Sequence, residues 1–270
     1  RNQRAVFEML EIEKPVAIID AAAKVGGILA NSKYPYEFLM DNMLIQNNLI
    51  KAAHELDIPK FIFLGSSCIY PKMAPQPLKE EYLLTGPLEE TNQWYAIAKI
   101  SGVKLIEALR EQYNRDYASL MPTNLYGPGD NYDLKTSHVL PAMLRKFHEA
   151  KENNHADVVL WGTGTPKREF LHVDDLANTV VFTIENKLEN SQYNVGSGEE
   201  ISIKELALLV QKIIGHKGNI IWDKTKPDGT PRKLMDSDHI FKLGLKNNFS
   251  LSEGIKDIHS DFLKIYNDEK

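Results

Sequence analysis

The stretch that decides the fold is Phe61-Ile62-Phe63-Leu64-Gly65-Ser66-Ser67-Cys68-Ile69-Tyr70-Pro71. Its first four residues are large and apolar, and glycine and hydroxyl-bearing residues follow them at once. A short apolar run of this kind is typical of a buried strand in a parallel sheet. Because ligands bind at the carboxyl ends of such strands, we predict that residues 65–68 open onto a functional site.

A second segment, Asn92-Gln93-Trp94-Tyr95-Ala96-Ile97-Ala98-Lys99, predicts the first turns of a helix that continues to about residue 113. Thr91 or Asn92 is available as its N-cap. Tyr95 and Lys99 are four positions apart and therefore lie on one face of that helix. The sequence thus predicts a phenol and an ammonium side by side.

Ser66, Tyr95 and Lys99 are residue types that the reduction of a carbonyl group needs. Hydride that arrives at a carbonyl carbon leaves charge on the oxygen, which requires a proton donor and a second hydrogen bond. We expect Tyr95 to donate the proton and Ser66 to hold the substrate oxygen. The ammonium of Lys99 would stabilise the phenolate and so lower the pKa of Tyr95, and it could also reach a ribose of a cofactor.

Alternating strands and helices surround these segments and predict an α/β fold with a parallel sheet. We expect a Rossmann-like, doubly wound sheet, although the strand, glycine-rich turn, helix and second strand that should open it are missing from the sequence. A looser pattern after residue 130 predicts a smaller α/β lobe. Predicted strands cover 16–20, 61–64, 117–121 and 158–162. A first helix carries Val6 to Leu10 and ends at Lys14-Pro15, and further predicted helices cover 36–56, 92–113, 139–150, 174–186, 202–214 and 252–265.

Composition limits the classes of protein that this chain can belong to. Its 270 residues are 43% hydrophobic, which is enough to bury the core of one large domain or two modest ones. A net charge of −5 argues against a nucleic-acid partner, so an anionic ligand would need a local basic cluster. One cysteine excludes an internal disulfide and fits a reducing compartment. No apolar run approaches membrane-spanning length, so we expect no membrane partner and a soluble cytoplasmic protein.

Three motifs carry a resemblance to known enzymes: Gly65-Ser66-Ser67-Cys68-Ile69-Tyr70-Pro71, Tyr95-Ala96-Ile97-Ala98-Lys99 and Pro122-Thr123-Asn124-Leu125-Tyr126-Gly127-Pro128. Together they resemble the extended short-chain dehydrogenase/reductases and, among these, the GDP-L-fucose synthases. The similarity runs from about residue 16 to the segment 227–233. It implies an NADPH-dependent homodimer, without a metal, that epimerises C3 and C5 of GDP-4-keto-6-deoxy-D-mannose and reduces C4.

The resemblance also assigns domains and catalytic residues. It implies an NADP-binding domain at 1–134 with 169–198, interleaved with a nucleotide-sugar domain at 135–168 with 199–270. Cys68 and His138 match the pair that would move protons at C3 and C5. Alone, Cys68 could be a small buried hydrophobe, and His138 could be a helix cap or a surface residue. The cofactor is expected at Leu64, Gly65, Ser66, Ser67, Lys99, Pro122, Thr123, Asn124, Leu125 and His138.

Four further residues match positions that hold the nucleotide-sugar. Arg168 offers a planar fork to a pyrophosphate, and Lys146 adds a point charge. Trp161 would provide a packing wall, and Asp228 would meet a ribose hydroxyl or the base. For Trp161 the alternative is a place in the core, and for Lys146 a solvated helix face.

Two other functions remain open from the sequence. The first is a reductase that acts only at C4 of a related GDP-4-keto sugar, such as a heptose, with Cys68 and His138 idle. The second is a non-catalytic nucleotide-sugar binder, because the glycine-rich phosphate turn and the residue that selects NAD or NADP are not in the sequence.

The absent turn leads to a prediction about the gene. We expect the coding sequence upstream of Arg1 to encode a strand followed by G-x-x-G-x-x-G, because this fold binds the cofactor pyrophosphate there. Sequencing of the full transcript tests this expectation. An open reading frame that starts at Arg1 would contradict it.

Overall fold

The computed structural model describes residues 1–226 and 228–268. Pro227, within the segment of resemblance, and Glu269 and Lys270, at the end of the predicted second domain, lie outside the described residues. The helices are α1 Gln3–Glu13, α2 Ile28–Lys33, α3 Pro35–Glu55, α4 Gln93–Tyr113, α5 Val139–Glu152, α6 Val173–Glu185, α7 Ile203–Ile214, α8 Asp238–Phe241 and α9 Leu251–Asp268. The strands are β1 Ala17–Asp20, β2 Lys60–Leu64, β3 Asp116–Pro122, β4 Asn124–Tyr126, β5 Asp157–Trp161, β6 Lys167–His172, β7 Gln192–Val195, β8 Glu200–Ser202, β9 Asn219–Asp223 and β10 Arg232–Lys233.

The described chain forms two compact units. The first contains residues 1–123, 177–195 and 235–245, and the second contains residues 124–176, 196–234 and 246–268. Compared with the predicted division, residues 124–134, 169–176 and 196–198 lie in the second unit, and residues 235–245 lie in the first. The first two of these segments carry β4 and part of β6, which pair with each other in parallel, so both strands belong to one sheet.

The first unit is built on a four-stranded parallel sheet in the order β1-β2-β3-β7. This sheet confirms the predicted Rossmann-like α/β fold. Its central strand β2 is buried along Phe61, Ile62 and Phe63, as the apolar run predicted. Helices α1, α3 and α4 contribute apolar side chains to one cluster with these strands, and burial of that cluster stabilises the unit.

The second unit contains two small sheets. One has the order β10-β6-β4, with β8 antiparallel to β6, and the other pairs β5 with β9 in parallel. Helices α5, α7 and α9 supply much of its core, which includes Phe147, Val210 and Phe262. The capping box of α7, formed by Ser202 and Glu205, fixes where that helix begins.

Helix α4 approaches β2 closely because residue 102 is a glycine. A Cβ atom on Gly102 would lie 2.5 Å from the ring of Phe63 and 2.9 Å from Nε2 of Gln46. Both of those side chains are buried, so neither can move aside easily. The position of α4 against the sheet, and of the residues that it carries, depends on this close contact. Of the helices in the described residues, none is long and apolar enough to cross a membrane.

We predict that Gly102→Ala lowers the free energy of unfolding by about 1–3 kcal/mol, because the added methyl overpacks the contact with Phe63. Urea denaturation measures this change. Glu111→Ala, at an exposed position of the same helix, is the control and should change the free energy by less than about 0.5 kcal/mol. Equal stabilities for the two variants would contradict the close contact.

Candidate active site

Ser66 and Cys68 lie in a tight turn directly after β2. The Gly65 N–H donates to the carbonyl of Leu120 at 2.9 Å, which extends the pairing of β2 with β3. The chain then enters a single 3₁₀ turn, Ser67–Ile69. Ser66 caps that turn, because its Oγ accepts a hydrogen bond from the Cys68 N–H at 3.2 Å. The hydroxyl and the thiol are thus held at the carboxyl end of the central strand.

Tyr95 and Lys99 lie in the first two turns of α4, which begins after its N-cap Asn92. The Lys99 side chain is 2% exposed, and its Nζ donates to the Leu64 carbonyl at 2.8 Å. The same Nζ is 4.6 Å from the ring centroid of Phe63 and 6.0 Å from that of Tyr95. These contacts place the ammonium at the end of β2.

The phenol of Tyr95 is next to Ser66 and Cys68. Burial raises the pKa of Tyr95, the charge of Cys68 raises it further, and a hydrogen bond with Ser66 lowers it. The predicted lowering of the Tyr95 pKa by Lys99 is not seen in the protein alone, where burial is the largest influence and the ammonium lies over the ring, 6.0 Å from its centroid. Tyr95 therefore keeps its proton at neutral pH, which is the state of a proton donor.

Lys99 is an unusual lysine because its ammonium is buried. Burial lowers its pKa to about 8, and the charge of Asp20 raises it. Lys99 is therefore mostly protonated at neutral pH and loses its charge under mildly alkaline conditions. A lysine in this state is typical of functional sites.

The residues predicted to bind a cofactor belong to both units. Those in the first unit lie at or near the carboxyl ends of β2 and β3: Leu64 to Ser67, Lys99, Pro122 and Thr123. The Thr123 N–H donates to the Val195 carbonyl at 3.0 Å. Asn124, Leu125 and His138 lie in the second unit. There the side-chain amide of Asn124 donates to the Glu169 carbonyl at 2.7 Å, so it helps to join β4 to β6.

His138 occupies the N-cap position of α5 and is exposed, but its side chain makes no capping hydrogen bond. The role of a side-chain cap is therefore not seen. Its imidazole lies close enough to Asp130 to affect it. Burial raises the pKa of Asp130, while the Asn131 N–H and the charge of His138 lower it. Cys68, the other half of the predicted pair, is partly exposed and so is not a fully buried hydrophobe.

The four residues predicted to hold a nucleotide-sugar all lie in the second unit. Trp161 ends β5 and is 58% exposed, which excludes a place in the core. Lys146 on α5 is partly buried and donates to the Val159 carbonyl at 3.0 Å, so it is tied to the same strand. Burial lowers the pKa of Lys146. The ammonium of Lys226 lies 5.6 Å from the Trp161 ring centroid.

Asp228 is held by Thr163, a residue that the sequence did not single out. Its two carboxylate oxygens accept hydrogen bonds from the Thr163 N–H at 2.6 Å and from the Thr163 hydroxyl at 2.8 Å. Burial lowers the pKa of Arg168, and the charge of Asp228 raises it. The guanidinium and the carboxylate are therefore neighbours, and the loop that carries Asp228 is fixed beside the end of β5.

Comparisons with known proteins show the family to which the chain belongs. The family described as NAD dependent epimerase/dehydratase matches residues 1–196. The chain belongs to this family. It is 55% identical over 263 residues to GDP-L-fucose synthase 1 of Arabidopsis thaliana, with 97% of this chain and 81% of the relative covered. It is 51% identical over 272 residues to GDP-L-fucose synthase of Escherichia coli (strain K12), with 97% of this chain and 85% of the relative covered.

A solved structure of another sugar-nucleotide enzyme is also similar. MlghC, a GDP-mannoheptose C4 reductase from Campylobacter jejuni with NADP bound, is 36% identical to this chain with a TM-score of 0.88. The match covers 97% of this chain and 86% of MlghC. The identities of 55% and 51% with the two GDP-L-fucose synthases confirm the resemblance that the sequence motifs suggested.

This member of the epimerase/dehydratase family uses a nicotinamide cofactor. The residues present fit such a group. The Lys99 bond to Leu64 uses one of the three protons of the ammonium, so the side chain retains donors for a ribose hydroxyl. Its burial at the carboxyl end of β2 is the expected place for a ligand of a parallel sheet.

The environment of Tyr95 predicts its titration in the cofactor-free protein. Because burial raises its pKa, the difference in phenolate absorbance between the wild type and Tyr95→Phe should stay flat from neutral pH up to about pH 10, the usual pKa of tyrosine. Ultraviolet titration measures this difference. An ionisation near neutral pH that disappears in Tyr95→Phe would contradict the described environment.

Proposed function

We propose that this enzyme converts GDP-4-keto-6-deoxy-D-mannose into GDP-L-fucose by epimerising C3 and C5 and reducing C4. The observation that carries the proposal is the identity of 50–55% with several GDP-L-fucose synthases over nearly the whole chain. The cluster of Ser66, Tyr95 and Lys99 supports it, because this cluster supplies the groups that a carbonyl reduction needs.

In the reduction, Tyr95 is the proton donor to the C4 oxygen and Ser66 is the second hydrogen-bond donor. The nicotinamide cofactor, when bound, supplies the hydride to C4. Tyr95 enters this step protonated, and Lys99 stabilises the phenolate that remains. The hydrogen bond between Ser66 and Tyr95 supports the assignment, since it places the two hydroxyls next to each other, within reach of one substrate oxygen.

In the epimerisation, Cys68 and His138 move protons on and off C3 and C5. The 4-keto group acidifies the hydrogens on these carbons, so a base can remove one and leave an enolate. Inversion requires that an acid return the proton on the opposite face. The epimerisation comes before the reduction, because reduction of C4 removes the carbonyl that makes C3 and C5 acidic.

The nucleotide-sugar is held by four residues of the second unit. Arg168 binds the pyrophosphate through its planar guanidinium, and Lys146 adds charge. Trp161 offers an exposed aromatic surface. The carboxylate of Asp228 meets a ribose hydroxyl or the base with the lone pairs that Thr163 leaves available.

We propose NADP as the cofactor, which is the one bound by the similar heptose reductase structure. The first unit would hold NADP and the second the GDP-sugar. A cytoplasmic location is supported by the single cysteine, which fits a reducing compartment.

A second candidate is a reductase that acts only at C4 of a related GDP-sugar. The similarity to the GDP-mannoheptose C4 reductase favours it, and Cys68 and His138 would then have no role. A non-catalytic binder is the third alternative, and any hydride transfer to the sugar by the full-length gene product would exclude it.

The deciding experiment uses the full-length gene product with GDP-4-keto-6-deoxy-D-mannose in D₂O. Without NADPH, the proposed enzyme should exchange the hydrogens on C3 and C5 for deuterium. With NADPH, it should form GDP-L-fucose that carries this label, as mass spectrometry and NMR detect. NADPH consumption without label at C3 and C5 would favour the C4 reductase.

Because different residues serve reduction and epimerisation in this proposal, variants of the two sets should lose different steps. Tyr95→Phe should slow reduction by on the order of 10²–10⁴-fold, since a general acid contributes about that much, while nucleotide-sugar binding and exchange persist. Cys68→Ser should stop the exchange yet still allow NADPH consumption and give an unepimerised product. His138→Asn should allow label to enter but prevent inversion.

These outcomes separate the two sets of residues. If Cys68→Ser and His138→Asn both keep wild-type epimerisation and lose only reduction, their assignment is wrong and the C4 reductase becomes the better reading. Full reductase activity in Tyr95→Phe would remove Tyr95 from the mechanism.

We also propose a homodimer that forms through α3 and α4. These two helices pack together and expose apolar side chains at Met40, Leu44, Trp94, Ile97 and Leu105. Exposed apolar residues in such number on one helix pair favour a protein partner. A second copy is the partner that the resemblance implies.

Light scattering at micromolar concentration should give the mass of a dimer. Leu44→Lys with Leu105→Lys should shift it to a monomer, whereas Met73→Lys, at an exposed apolar position of the same unit outside these two helices, should not. A monomeric wild type would contradict the proposal.

A further inference from the structure

Asp20 is a buried acidic residue that none of the roles above uses. It ends β1, and its side chain is 1% exposed. Its Oδ1 accepts a hydrogen bond from the Ala22 N–H at 3.2 Å. Its Oδ2 is buried and has no hydrogen-bond partner among residues 1–226 and 228–268. A carboxylate in this position is costly unless an opposite charge faces it.

The register of the sheet places Asp20 beside Phe63, the residue whose ring lies under the Lys99 ammonium. Asp20 pairs with Phe63 in the parallel ladder, so the two side chains lie on the same face of the sheet. The Lys99 Nζ lies 4.6 Å from the Phe63 ring centroid and 2.8 Å from the Leu64 carbonyl oxygen. Helix α4 packs on this face, because Gly102 faces the Phe63 ring. The carboxylate and the ammonium are therefore on one face, at the same end of the sheet.

Asp20 and Lys99 affect each other as opposite charges do. Burial raises the pKa of Asp20, and the charge of Lys99 lowers it. Burial lowers the pKa of Lys99 to about 8, and the charge of Asp20 raises it. Each charge therefore offsets part of the cost of burying the other.

Other titratable groups on the neighbouring elements have different partners. From α3, Asp41 forms ion pairs with Lys24 and Arg1, each at 3.1 Å. From α4 and the turn after β2, Tyr95 and Cys68 are neighbours of each other. Among the described residues, Lys24 is thus paired with Asp41, and the ammonium of Lys99 is the cation that acts on the buried carboxylate.

We propose that Asp20 is a positioning residue for Lys99: its carboxylate is the buried counter-charge that keeps the Lys99 ammonium protonated and held at the end of β2. The inference rests on the proposed function in one respect, namely that the charged form of Lys99 serves the reduction. Asp20 itself contacts neither substrate nor cofactor in this role.

The test measures the charge of Lys99 directly in the cofactor-free protein. Lysine Cε carbons labelled with ¹³C report protonation by NMR, and the Lys99 signal is assigned by its loss in Lys99→Met. Asp20→Asn should shift the Lys99 midpoint to lower pH by on the order of one unit, because the counter-charge is removed. Asp41→Asn, which removes a carboxylate of the same unit that is paired with other cations, should leave the midpoint unchanged.

The pH profile of the full-length holoenzyme is the second readout. In Asp20→Asn the midpoint of the alkaline limb of kcat/KM for reduction should shift to lower pH together with the Lys99 midpoint. Reduction should therefore be roughly five- to tenfold slower than in the wild type at about pH 8.5. Deuterium exchange at C3 and C5 should stay at the wild-type rate, because it uses Cys68 and His138. A merely structural role would change stability without moving the alkaline limb.

The outcomes distinguish this inference from the proposed function. An unchanged Lys99 midpoint in Asp20→Asn overturns the role of Asp20, whatever the activity. A wild type that does not reduce the sugar overturns the proposed function, while the NMR titration still decides the role of Asp20. If Asp20→Asn does not fold, Asp20→Leu removes the same charge with a side chain suited to a buried strand, and the same shift of the midpoint is expected.

Discussion

One hydrogen bond, from the ammonium of the buried Lys99 to the Leu64 carbonyl, is the contact on which the rest of the candidate active site depends. It joins the second turn of α4 to the last residue of β2 at 2.8 Å. Because Tyr95 lies one helical turn before Lys99, the same contact sets the phenol beside Ser66 and Cys68. The cost of burying the ammonium is offset by this bond, by the face of the Phe63 ring and by the charge of Asp20.

This contact also depends on small residues that let the elements approach. Gly102 allows α4 to lie against Phe63, and Gly65 lies where a Cβ atom would come within 2.4 Å of the Met121 sulfur. The packing therefore holds two different proton-transfer groups next to each other. One is the Tyr95 phenol, which keeps its proton, and the other is the Cys68 thiol, which is partly exposed. Chemistry that needs a proton donor for an oxygen and a separate base for a carbon can use both.

Much of the fold was predictable because its signals are local. The apolar run 61–64 and the periodic helices 36–56 and 92–113 correspond to β2, α3 and α4, since each pattern lies within one element. The strand β6 was missed, because the charged residues Lys167, Arg168 and Glu169 begin it and leave only a short apolar pair, Phe170 and Leu171, as a strand signal. Pairing with β8 and β10, rather than its own composition, makes this segment a strand.

The candidate site was predictable where a motif carried it and not where distant residues meet. Ser66, Tyr95 and Lys99 lie in recognisable motifs, and the structure brings them together. The hydrogen bonds from Thr163 to Asp228 join residues that are 65 positions apart, and no local sequence pattern predicts them. Asp20 gave one signal, a carboxylate at the end of an apolar strand, but its relation to Lys99 depends on strand register and helix packing.

We propose that Ser66 and Tyr95 act together on one substrate oxygen at the end of β2. A crystal structure of the full-length enzyme with NADP and the GDP-4-keto sugar bound would show this oxygen. We expect the C4 oxygen to lie within about 3.2 Å of both the Ser66 and the Tyr95 hydroxyls. A sugar whose C4 oxygen contacts neither hydroxyl, with C4 facing the nicotinamide, would contradict it.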